Sequence, residues 1–249
     1  MLWRFEARHR PTGDAPVPVM TTPATVISAL QEIARSADVD GVRRFFRGGD
    51  PGTAVMGVPI GKVFPVAKRF AALGLEDVET LLDDRRYEVR MAAVAILDFK
   101  ARQKRLADAD RRALYELYLR RHDRINNWDL VDRAAPHVIG EFLVDGDRTV
   151  LDRLARSKDP HERRTALVST YAFIKRGEVA DTFRIAETLA EDEDLYVQKA
   201  IASWTREAGK RDEAALVGFL TRNRKRLPKP TITAASKHLP ADVRQRLRA

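Results

Sequence analysis

From about Thr25 to the C-terminal end, apolar residues recur at i, i+3, i+4 and i+7, while period-two alternation is rare. That spacing predicts helices over 24–37, 39–47, 59–73, 75–84, 86–103, 108–121, 127–144, 147–157, 160–176, 180–190, 194–209, 211–225 and 230–247, and no strand. The long loop is Gly48-Gly49-Asp50-Pro51-Gly52-Thr53, with Gly57 and Pro59 beyond it, and it separates two N-terminal helices from the rest. In the first twenty residues Leu2, Trp3, Phe5 and Ala7 are interrupted by Arg4, Arg8 and Arg10, and Pro11, Pro16 and Pro18 follow. This stretch lacks the continuous apolar segment of a secretory signal. It reads as a flexible tail over 1–20, followed by a single repeat domain over 21–249.

The helices carry an internal likeness. Tyr87-Glu88-Val89-Arg90-Met91-Ala92, His161-Glu162-Arg163-Arg164-Thr165-Ala166 and Tyr196-Val197-Gln198-Lys199-Ala200 resemble one another, with Leu130-Val131-Asp132-Arg133-Ala134 a weaker member. Superposing Ala92, Ala134, Ala166 and Ala200 gives spacings of 42, 32 and 34. Helical hairpins with a small residue where the neighbour packs closely are the unit of a HEAT-type α-solenoid. Two residues before each alanine stand Arg90, Asp132, Arg164 and Gln198. Equivalent positions in stacked repeats point the same way, so these four are expected to line one polar, concave surface.

Charge now narrows the partner. Charged residues make up 33% of the chain, the net charge is +9 and the pI is about 10.0. A balance of that sign favours a polyanion, nucleic acid first and an acidic membrane surface second. The high arginine content is also compatible with a basic protein that has no such partner. No cysteine is present, which excludes disulfides and thiolate metal sites. No apolar run reaches the ~18–20 residues that a spanning helix needs.

The run Ile125-Asn126-Asn127-Trp128-Asp129-Leu130-Val131-Asp132 has two readings. As a helix start, Asn126 serves as N-cap and Asp129 completes a capping-box-like pair, while Leu130, Val131 and Ala134 form the buried stripe. That leaves Trp128 and Asp132, which lie one turn apart on one face. An aromatic plane beside a carboxylate suits a cation.

The same run, with Ala135-Pro136-His137 and Gly140 after it, resembles the signature of the DNA alkylation repair family, the HEAT-like-repeat glycosylases. Met56-Gly57-Val58 with Phe64, Ala67 and Lys68, then Glu162-Arg163-Arg164-Thr165-Ala166, then Gln198-Lys199-Ala200-Ile201 with Arg206-Glu207, resemble further segments in order, over about residues 40 to 240. The resemblance implies an all-α, right-handed, C-shaped solenoid that grips double-stranded DNA in a basic concave face. It implies base excision by hydrolysis of the N-glycosidic bond of purines alkylated at N3 or N7. Asp132 matches the catalytic carboxylate, Trp128 the aromatic against the lesion, and Arg164 the arginine on the nearby phosphate. Further contacts to DNA are expected from Trp204, Arg90 and Gln198. The resemblance implies no cofactor and no metal, a monomer, and a cytoplasmic protein that joins the nucleoid when on DNA. There are departures. The family's second tryptophan falls at Ser203, with Trp204 one residue later; Pro59 stands where relatives often have arginine; and Lys229-Pro230-Thr231-Ile232 lacks an arginine. These keep a second reading open: a non-catalytic HEAT-like protein that recognises damaged or distorted DNA. A protein-binding scaffold would explain the repeats but not the Trp-Asp motif.

Other signals are set aside. Gly57-Val58-Pro59-Ile60-Gly61-Lys62-Val63 lacks the spacing, the Ser/Thr and the strand of a phosphate loop. The histidines at 9, 122, 137, 161 and 238 form no i, i+4 pair. The basic runs 222–226 and 244–248 read as solvated helix faces, or as grips on flanking phosphates.

Overall fold

The structure, a computed structural model, describes residues 21–46 and 52–248. The tail expected over 1–20 and most of the long loop lie outside the described residues. Sixteen helices follow in order among the described residues: α1 Pro23–Gln31, α2 Val39–Arg43, α3 Ile60–Arg69, α4 Leu75–Leu82, α5 Tyr87–Ala101, α6 Asp108–Arg120, α7 Trp128–Ala135, α8 Glu141–Leu143, α9 Thr149–Ala155, α10 Pro160–Ser169, α11 Tyr171–Ile174, α12 Ala180–Thr188, α13 Leu195–Gly209, α14 Glu213–Arg222, α15 Lys229–Ala235 and α16 Ala241–Arg248. The described residues contain no named strand; the one backbone bridge, Ala54 to Arg86, is isolated and ties the loop to the start of α5.

The helices form two layers, an α-solenoid-like stack. In one layer α5, α7, α10, α13 and α15 each pack on the next. In the other, α4 lies beside α6, α9 beside α12, and α12 beside α14. Ala92, Ala134, Ala166 and Ala200 all sit in the first layer with no exposed surface. Their small side chains let neighbouring backbones approach, which is why the alanine superposition picked out the repeats. Helix starts follow local chemistry. Thr22 and Thr25 exchange bonds across the first turn of α1, with Pro23 at its first position. Asp159, Asp194 and Asp212 accept from free N–H groups at the starts of α10, α13 and α14.

Several predicted helices are interrupted. The span 127–144 contains a π turn, Pro136–Gly140, in which the Glu141 N–H reaches the Pro136 carbonyl. Pro136 has no N–H for the carbonyl four residues back, so the α ladder is already broken there. Gly140 completes the distortion: a Cβ on it would stand 2.3 Å from the Ser169 carbonyl, so this turn passes hard against the end of α10. The span 160–176 breaks at Thr170, where the Ser169 and Thr170 hydroxyls donate back to the carbonyls of Thr165 and Leu167. The span 230–247 is two helices, α15 and α16, parted by Pro240 and its preceding turn.

Candidate active site

The Trp-Asp run begins α7 differently from the capping-box reading. Asn127, not Asn126, is the N-cap, and its side chain makes no cap bond. It donates instead to Asp129 Oδ1 (2.6 Å) and to the Phe45 carbonyl (3.1 Å), which also accepts from Trp128 Nε1 (3.1 Å). The Tyr87 hydroxyl donates to the other Asp129 oxygen. Burial pushes the Asp129 carboxyl up to about 6, against the lowering effect of the bonds from Tyr87 and Asn127. Burial, and then the charge of Asp129, push the Tyr87 phenol up as well. Asp129 is therefore a fastener: it locks α7 to α5 and orients Trp128 through the shared Phe45 carbonyl.

Trp128 and Asp132 share one face, as their spacing requires, and α10 brings Arg164 to the same place. Arg164 grips Asp132 with two parallel bonds, Nε to Oδ1 at 2.9 Å and Nη2 to Oδ2 at 2.7 Å. Its Nη1 donates to the Tyr196 carbonyl at the start of α13. The Arg164 side chain is only 7% exposed, whereas that of Asp132 is 30% exposed. The carboxylate is thus held from below and open from above. The Trp128 and Tyr196 rings lie parallel within 4°, centroids 6.0 Å apart, and the Arg164 guanidinium carbon stands 5.8 Å from the Trp128 centroid. Together with Lys199, Ala202, Ser203 and Ala234 these residues line a cavity of about 340 Å³.

Three expected site residues are placed elsewhere. Arg90 has no exposed surface; its guanidinium donates to the Asp84 and Arg85 carbonyls, to Thr53 Oγ1 and to Asn126 Oδ1. Gln198 is buried, donating to the Ala190 and Asp192 carbonyls and accepting from Thr231. Both point into the preceding inter-helix turn and tie it down. The placement of the four alanines in one layer does not guarantee a common exposed surface, because each side chain takes the nearest unsatisfied carbonyls. Trp204 turns away from the cavity, as one residue's ~100° rotation along an uninterrupted α13 dictates. Its ring packs on Tyr171, centroids 5.1 Å apart, and the cavity wall at this level is Ser203.

Sequence reasoning missed Tyr196, Lys199 and the Phe45 carbonyl. The first two lie inside the repeat motif Tyr196-Val197-Gln198-Lys199-Ala200 and carried a signal: an aromatic opens that motif as Tyr87 opens the first, one residue nearer to its alanine. A backbone carbonyl carries no sequence signal.

A stack of helices with an arginine-held carboxylate beside two parallel aromatic rings makes an all-helical, α-solenoid-like protein with a small, charged aromatic site. The family model for DNA alkylation repair enzymes matches residues 26–239, and the chain belongs to that family. The chain is also similar in fold to the solved structure of a predicted DNA alkylation repair enzyme from Enterococcus faecalis, at 14% identity and a TM-score of 0.64, with 84% of this chain and 97% of that one covered. No curated protein matched the chain. Membership makes it a DNA repair protein. Among the described residues, no helix is long and apolar enough to cross a membrane.

Proposed function

We propose that the protein is a DNA glycosylase that hydrolyses the N-glycosidic bond of cationic N3- or N7-alkylated purines in duplex DNA, acting as a monomer. The duplex runs along a basic concave face of a right-handed, C-shaped solenoid, whose inner layer contains α7, α10 and α13. The observation that carries this reading is the Asp132 carboxylate, held by Arg164 and left open beside Trp128 and Tyr196. An alkylated purine bears a positive charge and leaves readily, taking the bonding electron pair. The sugar left behind is cationic at C1′. A carboxylate fixed beforehand stabilises that charge without reorganising. Water adds at C1′ and its proton passes to Asp132 or to solvent, leaving an abasic site and the neutral base. Arg164 keeps both carboxylate oxygens in place, and the rings pack against the cationic nucleotide.

The test is single-turnover release of 7-methylguanine from alkylated duplex DNA. Wild type should release it above the spontaneous rate, and Asp132→Asn should be slower by ~10²–10³. The placement of Trp204 on Tyr171, with Ser203 at the cavity wall, favours a second reading, a non-catalytic protein that recognises damaged DNA. Tight binding without release would select it.

A further inference from the structure

Tyr196 is held more firmly than a surface tyrosine. It lies in the first turn of α13, where Asp194 accepts from its N–H at 2.8 Å and from that of Val197 at 2.9 Å. Its carbonyl accepts from Arg164. The main chain of Tyr196 is therefore fixed at both its N–H and its carbonyl, and its ring lies parallel to Trp128.

Each of the two rings carries a cation, but the cations differ. The guanidinium against Trp128 is that of Arg164, buried and locked to Asp132. The ammonium against Tyr196 is that of Lys199, with Nζ 5.0 Å from the ring centroid. Lys199 is exposed, and among the described residues no carboxylate pairs with it. A lysine ammonium on a flexible stem is easily displaced, and a phosphate attracts it more strongly than a ring does.

We infer that Tyr196 determines the preference for a positively charged base: its ring face, covered by Lys199 in the free protein, is exchanged to the cationic purine when Lys199 swings to a DNA phosphate. This rests on the proposed function and names how that site selects its substrate. A neutral purine gains the phosphate contact but not the exchange, because the ring quadrupole rewards only a cation. Discrimination thus sits on Tyr196, and non-selective affinity on Lys199.

The experiment measures binding, so it does not depend on excision. The probes are two identical duplexes, one with 2′-fluoro-7-methyl-2′-deoxyguanosine and one with 2′-fluoro-2′-deoxyguanosine; the fluorine slows base loss. Wild type should prefer the methylated duplex. Tyr196→Leu should lower that preference by about threefold to tenfold, and Tyr196→Phe, which keeps the π face, should hold it within about twofold. Lys199→Gln should weaken both duplexes alike and reduce the slope of log affinity against log salt by about one. Tyr196→Phe and circular dichroism control for folding. A preference that survives in Tyr196→Leu overturns the inference and leaves the glycosylase reading intact. Equal binding of both duplexes by wild type overturns the inference and counts against the substrate class. A preference in wild type without base release removes the glycosylase reading and leaves the role of Tyr196 standing.

Discussion

The Arg164 guanidinium clasps the Asp132 carboxylate in a two-bond fork, 2.9 and 2.7 Å, across 32 residues of sequence. A guanidinium has five N–H donors, and the fork and the Tyr196 carbonyl engage three of them. The remainder can meet a phosphate, so one residue can both aim the carboxylate and touch the backbone. Arg164→Lys separates the two roles. Lysine keeps the charge but not the fork, so DNA affinity should stay within about twofold while excision falls roughly tenfold or more. Single-turnover excision and duplex titration check this; equal losses in both would assign Arg164 to the phosphate alone.

Arg90 should behave in the opposite way. It has no exposed surface and fastens the turn before α5. Arg90→Met should leave the salt dependence of DNA binding unchanged and lower stability by about 2–4 kcal/mol, through carbonyls left unpaired. Urea unfolding and a salt titration together separate this from a groove contact.

Glu88 organises the segment before α3. Its buried carboxylate accepts from the N–H groups of Met56 (3.0 Å), Gly57 (2.8 Å) and Val58 (3.2 Å). Gly57 has φ 87°, and a Cβ there would lie 2.2 Å from the Arg35 carbonyl. Gly57→Ala should cost more than the ~1 kcal/mol of a left-handed backbone alone, because Arg35 must also move. Glu88→Gln should cost about 1–3 kcal/mol, since one of its terminal atoms becomes a donor facing donors. Both are read from thermal unfolding; a neutral Gly57→Ala would mean the segment shifts freely.

Asp129 makes stability depend on pH with an unusual sign. Its carboxyl rises from 3.8 to about 6 on folding, so between those values the folded state holds the proton and the unfolded state releases it. The contribution is present below about pH 4 and lost as pH rises to about 6, a change of up to about 3 kcal/mol. Asp129→Asn keeps an acceptor for Tyr87 and removes the titration. Relative to wild type, the variant should gain stability as pH rises from 4 to 6.5, and a constant difference in urea midpoints would refute the effect.

The helices and their order were legible because each buries a stripe at helical spacing, and the alanines marked the close approaches. Trp128 and Asp132 were legible because the buried stripe of α7 explains neither, and Arg164 joined them through its repeat position and the family resemblance. Arg90 and Gln198 were misread: sequence equivalence gives a direction from the helix axis, while the length of the side chain and the nearest open carbonyl decide where its end goes. Tyr196 was overlooked since an aromatic within a helical repeat motif usually packs in a core. The π turn at Pro136–Gly140 depends on a contact with Ser169 that no local pattern contains.

Asp132, Arg164 and Tyr196 stand at two successive steps of 32 residues, each bonded to the next. The cavity therefore spans two helix–helix junctions, α7 on α10 and α10 on α13. In a stack where each unit touches only its neighbours, junctions open and close as separate local equilibria. The fraction of molecules with an intact cavity is then the product of two closed fractions. A ligand that touches both Asp132 and Tyr196 couples those equilibria, so amides in both junctions should slow their hydrogen exchange together on binding.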